Sequence, residues 1–349
     1  MQRRKTKKIY FGDFAVGGDA PISVQSMTNT KTDDISSTVS QIRELSKHGC
    51  ELIRVAVPDK KSAYSLSKIK KEIDIPLIAD IHFNHRLALI AIDEGIDGLR
   101  INPGNIGDEE KVKEVIKAAR IKKIPVRVGV NAGSLERTVL EKYGHPSADA
   151  MVESAMHHIK ILEENDFHDI VISLKSSDVL MTIEAYEKMA QKTDYPFHIG
   201  ITEAGTIWAG AIKSSVGIGS LLMKGLGDTM RISLTGDPVE EVKTAWMILK
   251  SLKIRKNGPE IISCPTCGRT EIDLIKVARE VEEALRTCKK NITVAVMGCA
   301  VNGPGEAREA DIGLAGGKGE GILFKKGKVI KKVREEKLVE SLLEEIEKM

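Results

Sequence analysis

Aromatic side chains are scarce in this chain of 349 residues, and their scarcity limits what it can bind. Phe, Trp and Tyr make up 4% of the sequence, too few for the extended stacking platforms of proteins that bind single-stranded nucleic acid. Lys and Arg number 53 against 50 Asp and Glu, so no large net charge attracts the chain to nucleic acid or to a membrane surface. We expect neither kind of partner.

Long apolar runs are absent as well. No run approaches the roughly 18 residues that a membrane-spanning helix needs. The basic run QRRKTKK at 2–8 is followed by no apolar stretch, so we expect a solvated arm and not a secretory signal. The five cysteines are unevenly spaced, which does not suggest export. The expected location is the cytoplasm.

The sequence does contain a repeated alternation of two patterns. From about residue 22 to 236, short β-rich runs alternate with amphipathic stretches of helical spacing. This alternation predicts parallel strands joined by right-handed crossovers. Eight units favour a closed (β/α)8 TIM-type barrel, and no G-x-G-x-x-G follows the first strand as a dinucleotide-binding sheet would require. The predicted strands are 23–29, 52–57, 77–83, 98–104, 125–133, 169–175, 197–205 and 229–236.

The alternation stops after a ninth helix, predicted at 238–252, and the linker KIRKNGPE. Beyond it the sequence predicts a small α+β domain. Its predicted elements are a helix at 271–286, a strand at 292–297, short strands around 311–333 and a charged helix at 335–348. We therefore predict a barrel domain at 1–258 and an α+β domain at 259–349.

Alternation along each barrel strand sorts its side chains into two faces. The outer face is covered by helices and must be apolar, so the polar set points into the barrel and towards its usual active-site mouth. Six strands repeat this pattern, which argues against polar groups that merely satisfy one another. The inward set is Arg54, Asp80, His82, Arg100, Arg127, Asn131, Lys175, His198, Glu203, Arg231 and Ser233.

The inward set is mostly cationic. Converging guanidinium groups suit bidentate recognition of phosphate or carboxylate. We therefore predict a small substrate with two or more negative charges. His198 is the weakest member, because a histidine at such a position is more often packed in the core.

Three cysteines have the spacing of a metal or redox site. Cys264 and Cys267 form a C-x-x-C pair, and Cys299 follows 32 residues later, before a glycine-rich turn. An iron–sulfur cluster, a structural zinc and a redox dithiol remain open. Zinc usually takes four protein ligands, whereas backbone N–H groups of such a turn can bond cluster sulfurs, which favours iron–sulfur. Cys50 is predicted to be a small buried hydrophobe, and the surroundings of Cys288 do not resemble a ligand turn.

Several long segments resemble the 4-hydroxy-3-methylbut-2-enyl diphosphate synthase family. The resemblance runs in order from about residue 3 to 325 and is to the short bacterial form, which lacks an inserted middle domain. The matching segments are SMTNT at 26–30, ADIHF at 79–83, LRINPGNIG at 99–107, GVNAGSL at 129–135, GITEAG at 200–205, CPTC at 264–267 and GCAVNGPGE at 298–306.

The resemblance implies a two-electron reductive ring opening and dehydration of 2-C-methyl-D-erythritol 2,4-cyclodiphosphate in the methylerythritol phosphate route to isoprenoids. It implies a 4Fe–4S cluster held by Cys264, Cys267, Cys299 and Glu306. Family members take electrons from flavodoxin or ferredoxin. They work as head-to-tail homodimers in which one subunit's cluster domain covers the partner's barrel.

The resemblance also assigns roles in the barrel. Glu203 is the candidate proton donor for the departing hydroxyl, and Arg231 matches by strand parity alone. The alternative is a pterin-type barrel transferase with a structural zinc domain. The residues expected around the diphosphate are Arg54, Asp80, His82, Arg100, Arg127, Asn131, Lys175 and Ser233.

Overall fold

The structure is a computed structural model that describes residues 2–101, 106, 109–299, 305 and 307–349. The chain divides into two compact units, Met1–Arg255 and Lys256–Met349. Among the described helices, none is long and apolar enough to cross a membrane.

The first unit begins with a short antiparallel hairpin, β1 (Ile9–Phe11) and β2 (Phe14–Val16). Eight parallel strands follow in the order β8-β7-β6-β5-β4-β3-β10-β9, and a bridge between Ile172 and Phe197 links the two ends of this order. The predicted (β/α)8 barrel is confirmed. The strands are β3 (Ser23–Met27), β4 (Leu52–Ala56), β5 (Leu77–Ile81), β6 (Gly98–Ile101), β7 (Val126–Asn131), β8 (Ile170–Lys175), β9 (His198–Ile199) and β10 (Thr229–Met230).

Two of the predicted strands are much shorter in the structure. β9 and β10 have two residues each, whereas 197–205 and 229–236 were expected to be extended throughout. Beyond them the chain forms irregular loops, joined by one bridge between Thr206 and Thr235. Glu203 lies in the first of these segments and has a φ of 51°, which is uncommon for a residue with a side chain.

Nine described helices accompany the strands of this unit. Six begin at an Asp, Asn or Ser whose side chain accepts a backbone N–H of the first turn, as helix N-caps do. The helices are Ile35–Lys47, Lys60–Lys70, His85–Asp93, Glu109–Lys122, Arg137–Tyr143, Ala148–Glu163, Val179–Ala190, Ile207–Met223 and Pro238–Ser251. In Glu109–Lys122 one face of the helix is apolar and buried, and its residues are Val112, Val115, Ile116 and Ala119.

The hairpin packs against side chains at the amino-terminal ends of the barrel strands. Phe11 lies so close to Gly98 that a Cβ there would be 2.4 Å from its ring. This cluster fills one end of the barrel with apolar side chains, which leaves the carboxyl end of the strands for a polar site. Its buried members are Ile9, Phe11, Val16, Leu52, Ile78 and Val171.

The basic segment before the hairpin is bound to the barrel, so the expectation of a solvated arm was wrong. Arg3 donates to Asp228 Oδ1 at 2.6 Å. The guanidinium of Arg4 lies 3.8 Å from the centroid of the Phe197 ring. The spacing of charges along the sequence did not reveal partners that are about 200 residues away.

Among its described residues, the second unit is a five-stranded sheet with two helices, Leu274–Ala284 and Leu338–Glu347. The first three strands are parallel and the last two antiparallel, which is an α+β arrangement as predicted. The strands, in sheet order, are β11 (Glu260–Ser263), β12 (Thr293–Met297), β13 (Ile312–Gly316), β14 (Glu320–Lys325) and β15 (Lys328–Arg334).

Candidate active site

Asp80 lies at the centre of an ion-pair network inside the barrel. Its side chain is 4% exposed, and Oδ1 accepts a hydrogen bond from Arg100 Nη1 at 3.0 Å. Oδ2 lies 3.5 Å from Arg54 Nε. Burial by itself would raise the pKa of Asp80, but Arg54, with His82 and Arg100, holds that pKa well below its usual range. The ionised carboxylate therefore orients two guanidinium groups.

Arg54 and His82 are the other two members of the network around Asp80. Arg54 Nη2 lies 3.0 Å from the Sδ atom of Met27, a weak acceptor that leaves most of the donor capacity unused. Burial, partly offset by Asp80, lowers the pKa of Arg54 to about 10, so the group stays charged at neutral pH. His82 is half-exposed, and its Nε2 lies 3.1 Å from Arg100 Nη1.

Arg127 provides a buried donor without a protein partner. Its Nη1 donates to Gln25 Oε1 at 2.7 Å, whereas Nη2 is buried and has no hydrogen-bond partner among the described residues. A buried N–H of this kind is costly unless a ligand or water completes it. Sequence reasoning missed Gln25, although it shares the inward parity of Met27 on β3 and could have been found by the same rule.

Lys175 ends β8, opposite Asn131 in the register of β7. It is buried, 7% exposed. Its Nζ lies against Gly200, where a Cβ would be only 2.6 Å away, and Gly129 makes the same kind of room for Arg100 Nε at 2.8 Å. Burial, reinforced by Arg231 and the other guanidinium groups, holds the pKa of Lys175 well below its usual value.

Arg231 joins the site through a partner that sequence reasoning missed. Glu241, in the first turn of helix Pro238–Ser251, lies 3.3 Å from Arg231 Nη2. The Glu241 side chain is 5% exposed, although acids in a first helical turn usually serve the helix dipole from the surface. No sequence pattern separated Glu241 from its neighbour Glu240.

His198 lies on β9 and is fully buried with both ring nitrogens unpartnered among the described residues. Burial, reinforced by Arg127 and Lys175, holds the pKa of His198 well below its usual value. A neutral ring follows at physiological pH. This burial is consistent with the expectation that His198, the weakest member of the inward set, is packed in the core.

Two further predicted residues lie in the loops beyond the short strands. Glu203 is exposed, and its positive φ is uncommon for a residue with a side chain. Such backbone strain often accompanies function. Ser233 is half-buried. Among the described contacts neither joins the ion-pair network around Asp80. Glu306 lies outside the described residues.

In the second unit, two of the predicted ligand cysteines follow neighbouring strands. Cys264 comes after β11 and Cys299 two residues after β12, and β11 and β12 are parallel, with Ser263 opposite Val296. The backbone N–H of Gly298 donates to Cys264 Sγ at 3.2 Å. Carboxyl ends of parallel strands lie at the same edge of a sheet, so the structure brings these two cysteines to one edge.

Cys267 lies in the loop between β11 and helix Leu274–Ala284 and is exposed. A backbone hydrogen bond from Arg269, with further help from its side chain and Thr270, lowers the pKa of the Cys267 thiol, and a thiolate is the form that binds metal. Within the described part of the chain, no three His, Cys, Asp or Glu side chains already form a metal-binding group. The donor types and the N–H donated to sulfur nevertheless fit an iron–sulfur cluster.

The two other cysteines differ from this group. Cys50 is 3% exposed inside the barrel unit, and burial raises the pKa of its thiol to about 12. It behaves as the small hydrophobe that was predicted. Cys288 packs against the apolar core of the second unit. All five cysteines are free thiols.

Fold and site together define a class: a TIM-type barrel with a buried cationic site, followed by a smaller cysteine-bearing α+β unit. The model of the GcpE TIM-barrel domain matches residues 6–246, and that of the GcpE protein C-terminal domain matches residues 260–348. The chain belongs to the GcpE family.

Relatives with established names cover the whole length of the chain. A 4-hydroxy-3-methylbut-2-en-1-yl diphosphate synthase (flavodoxin) of Clostridium perfringens is 61% identical over 347 residues, 99% of each chain. One with the same name from Bacillus mycoides is 60% identical over 346 residues, 99% of this chain and 95% of the relative.

Among solved structures, the dihydropteroate synthase of Yersinia pestis superposes with a TM-score of 0.50 at 10% identity, over 70% of this chain and 98% of that enzyme. At this identity the similarity shows the barrel fold alone. The alternative of a pterin-type transferase is therefore not favoured. The relatives that match this chain over its full length at about 60% identity are diphosphate synthases.

Proposed function

We propose that this protein is a flavodoxin-dependent 4-hydroxy-3-methylbut-2-en-1-yl diphosphate synthase that reductively opens and dehydrates 2-C-methyl-D-erythritol 2,4-cyclodiphosphate. The observation that carries the proposal is the buried cationic site organised by Asp80, in a chain 61% identical to an enzyme of that name. In this proposal residues 1–258 bind the substrate and residues 259–349 hold a 4Fe–4S cluster. The proposed location of the protein is the cytoplasm.

The diphosphate is held by the barrel residues. Arg54 and Arg100 present guanidinium groups fixed by Asp80, so they lose little conformational freedom when they bind phosphate oxygens. Arg127 offers its unpartnered Nη2, and Lys175 adds a further N–H donor. We propose that further polar contacts complete the set, from His82, Asn131 and Ser233.

Glu203 is the proposed proton donor. The departing hydroxyl needs a proton to leave as water, and an exposed carboxyl on a strained loop beyond β9 can deliver one from the side of solvent. Glu203→Gln keeps the shape and removes the acid. We expect turnover to fall by about a hundredfold or more while substrate affinity stays within a few fold.

The cluster is proposed to be held by Cys264, Cys267, Cys299 and Glu306. When bound, it supplies the two electrons of the reaction one at a time. The chain's own contribution is to provide thiolates and backbone N–H groups that stabilise negative sulfur, as Gly298 N–H does for Cys264 Sγ.

Replacement of single cysteines by serine tests this ligand set. Serine at 264, 267 or 299 should lower the iron content and visible absorption of anaerobically purified protein. Cys50→Ser and Cys288→Ser are the matched controls and should leave both unchanged, since these thiols pack in the cores of the two units. Loss of iron in the controls, or full iron without Cys267, would exclude this set.

A homodimer is proposed to form the complete enzyme, with a head-to-tail arrangement. Helix Ile207–Met223 carries a single charged residue, Lys213, and exposes a stripe of large apolar side chains. An outer face of this kind is typical of a protein interface. The stripe is Trp208, Ile212, Val216 and Met223.

Mixed dimers test the head-to-tail arrangement without any assumption about geometry. Arg127→Met removes a barrel residue and Cys267→Ser removes a cluster ligand, so each variant alone should be inactive. After the two are dissociated and reassociated in equal amounts, about a quarter of the wild-type activity should return, because half of the dimers contain one intact site. No recovery would mean that barrel and cluster of one chain work together.

The reaction itself is tested by an anaerobic assay with the cyclic diphosphate, reduced flavodoxin and the cluster-loaded protein. We expect formation of 4-hydroxy-3-methylbut-2-enyl diphosphate. Reduced ferredoxin in parallel distinguishes the two donors. A colourless protein that contains zinc and gives no product would instead support a transferase with a structural metal.

A further inference from the structure

Lys175 is buried among cationic groups in the barrel and forms no ion pair with a carboxylate of the described residues. Its Nζ lies against Gly200, and no described carboxylate forms an ion pair with it, whereas Arg54 and Arg100 both share Asp80. A buried ammonium is stable only when it is paired. Without a bound anion, the described residues therefore give the charged form of Lys175 no compensating negative charge.

Several elements of the barrel contribute charged side chains to the site that contains Lys175. Among the described residues there are four guanidinium groups and two carboxylates, and each carboxylate is already engaged by arginine. The other polar groups of the site are Asn131, His198 and His82, whose Nε2 lies 3.1 Å from Arg100 Nη1. The charged groups are Arg54 on β4, Asp80 on β5, Arg100 on β6, Arg127 on β7, Arg231 after β10 and Glu241 on the helix that follows.

We propose that Lys175 is a neutral amine in the empty barrel and takes up one proton when a dianion binds there. The unprotonated amine relieves the excess of positive charge while the site is empty, and the negative ligand reverses the balance. The low pKa of Lys175 in the ligand-free chain agrees with this geometry. The inference rests on the proposed function, because it takes the cyclic diphosphate as the dianion.

Proton uptake by Lys175 would make the affinity for the dianion depend on pH. If binding takes up a proton, affinity falls as pH rises through the window between the free and the bound pKa of Lys175, by up to about tenfold per pH unit. Both acidic groups of the cyclic diphosphate are phosphodiester-like and stay ionised at neutral pH. Any proton taken up is therefore bound by the protein.

Calorimetric titration of the cluster-loaded protein with the cyclic diphosphate measures the uptake. The binding enthalpy at one pH is compared in two buffers of different ionisation enthalpy, and the wild type should take up about one proton per site. Lys175→Arg should bind with no uptake, because guanidinium is always charged. Lys175→Met should bind more weakly, also without uptake.

Two controls locate the proton. His198→Gln and Lys117→Met, an exposed lysine on helix Glu109–Lys122, should keep the uptake of the wild type. Uptake that persists in Lys175→Arg, or that disappears in His198→Gln, would overturn the assignment. Binding by the wild type without uptake would overturn the inference and leave the proposed function standing, whereas absence of binding would count against the proposed function itself.

A second measurement needs no ligand. A lysine that is neutral when folded and charged when unfolded makes the unfolded chain bind more protons, so stability rises with pH. The midpoint of unfolding of the wild type should therefore increase relative to that of Lys175→Met as pH rises from about 7 towards 10. Parallel profiles of the two proteins would overturn the inference even if no ligand were found.

Discussion

Glu241 holds Arg231 in the barrel site from an element outside the sheet. Its carboxylate oxygens lie 3.3 and 3.4 Å from Arg231 Nη2. The same carboxylate accepts the backbone N–H of Leu234 at 3.0 Å and lies 3.3 Å from Ser26 Oγ. One buried side chain thus fixes an arginine, the loop that carries Ser233 and the end of β3.

Glu241→Gln should weaken substrate binding through Arg231. The amide keeps the volume but loses the charge, so the guanidinium is held less firmly. We expect KM for the cyclic diphosphate to rise about tenfold with kcat within about twofold, since a contact made equally in ground and transition states changes KM alone. Glu240→Gln is the matched control, because Glu240 pairs with Lys243 at 2.7 Å and not with the site. An unchanged KM for Glu241→Gln would contradict the positioning role.

Asp80→Asn should destabilise the ligand-free barrel and increase the stabilisation that a bound anion gives it. Arg54 and Arg100 lose the charge that compensates them, and an uncompensated buried pair costs about 3 kcal/mol or more. Inorganic pyrophosphate should restore stability, with a larger rise in Tm for the variant than for the wild type. Asp93→Asn, at the exposed end of helix His85–Asp93, should change neither value. Equal rises in Tm for Asp80→Asn and the wild type would contradict this view.

Glu136 should contribute an acid-labile component of stability. It is hydrogen-bonded to the buried His158, directly before helix Arg137–Tyr143. Burial alone would raise the pKa of Glu136, but the bonds to His158 and Ser154 lower it from 4.5 to about 2. Between these two values the unfolded chain binds more protons than the folded one, so stability falls as pH drops from about 4.5 towards 2.

Glu136→Gln removes this component. The slope of unfolding free energy against pH in that acid window should decrease by up to about one proton relative to the wild type. Glu141→Gln is the control, since Glu141 is exposed and pairs with Arg137, four residues earlier on the same helix. Denaturant unfolding at a series of pH values gives the slopes. If both variants kept the wild-type slope, the His158 contact would not be the cause.

Arg4→Ala should destabilise the barrel unit from the end opposite to the site. Arg4 donates to the carbonyl oxygens of Thr193 and Tyr195 at 2.6 and 2.5 Å and lies over Phe197. Loss of these contacts should cost about 2–3 kcal/mol, with kcat and KM unchanged. Lys5→Ala, at an exposed position, should be neutral in chemical denaturation. Equal stability of the two variants would contradict this prediction and support the expectation that residues 2–8 form a solvated arm.

The sequence by itself determined the barrel and the inward face of its strands. Because side chains alternate along a strand and helices cover the outside, a polar residue such as Arg100 or Arg127 could face only the lumen. The same rule would have found Gln25. The sequence did not predict β11, so its parallel pairing with β12, which brings Cys264 and Cys299 to one edge, came from the structure.

Only the tertiary structure decided which groups became partners. The pairings of Arg127 with Gln25, of Arg231 with Glu241 and of Arg3 with Asp228 join elements that meet because the barrel closes. The short lengths of β9 and β10 follow from loops that leave the sheet at the mouth, where Glu203 takes a positive φ. Local patterns fix the direction of a side chain, but burial and charge compensation depend on all the strands that surround it.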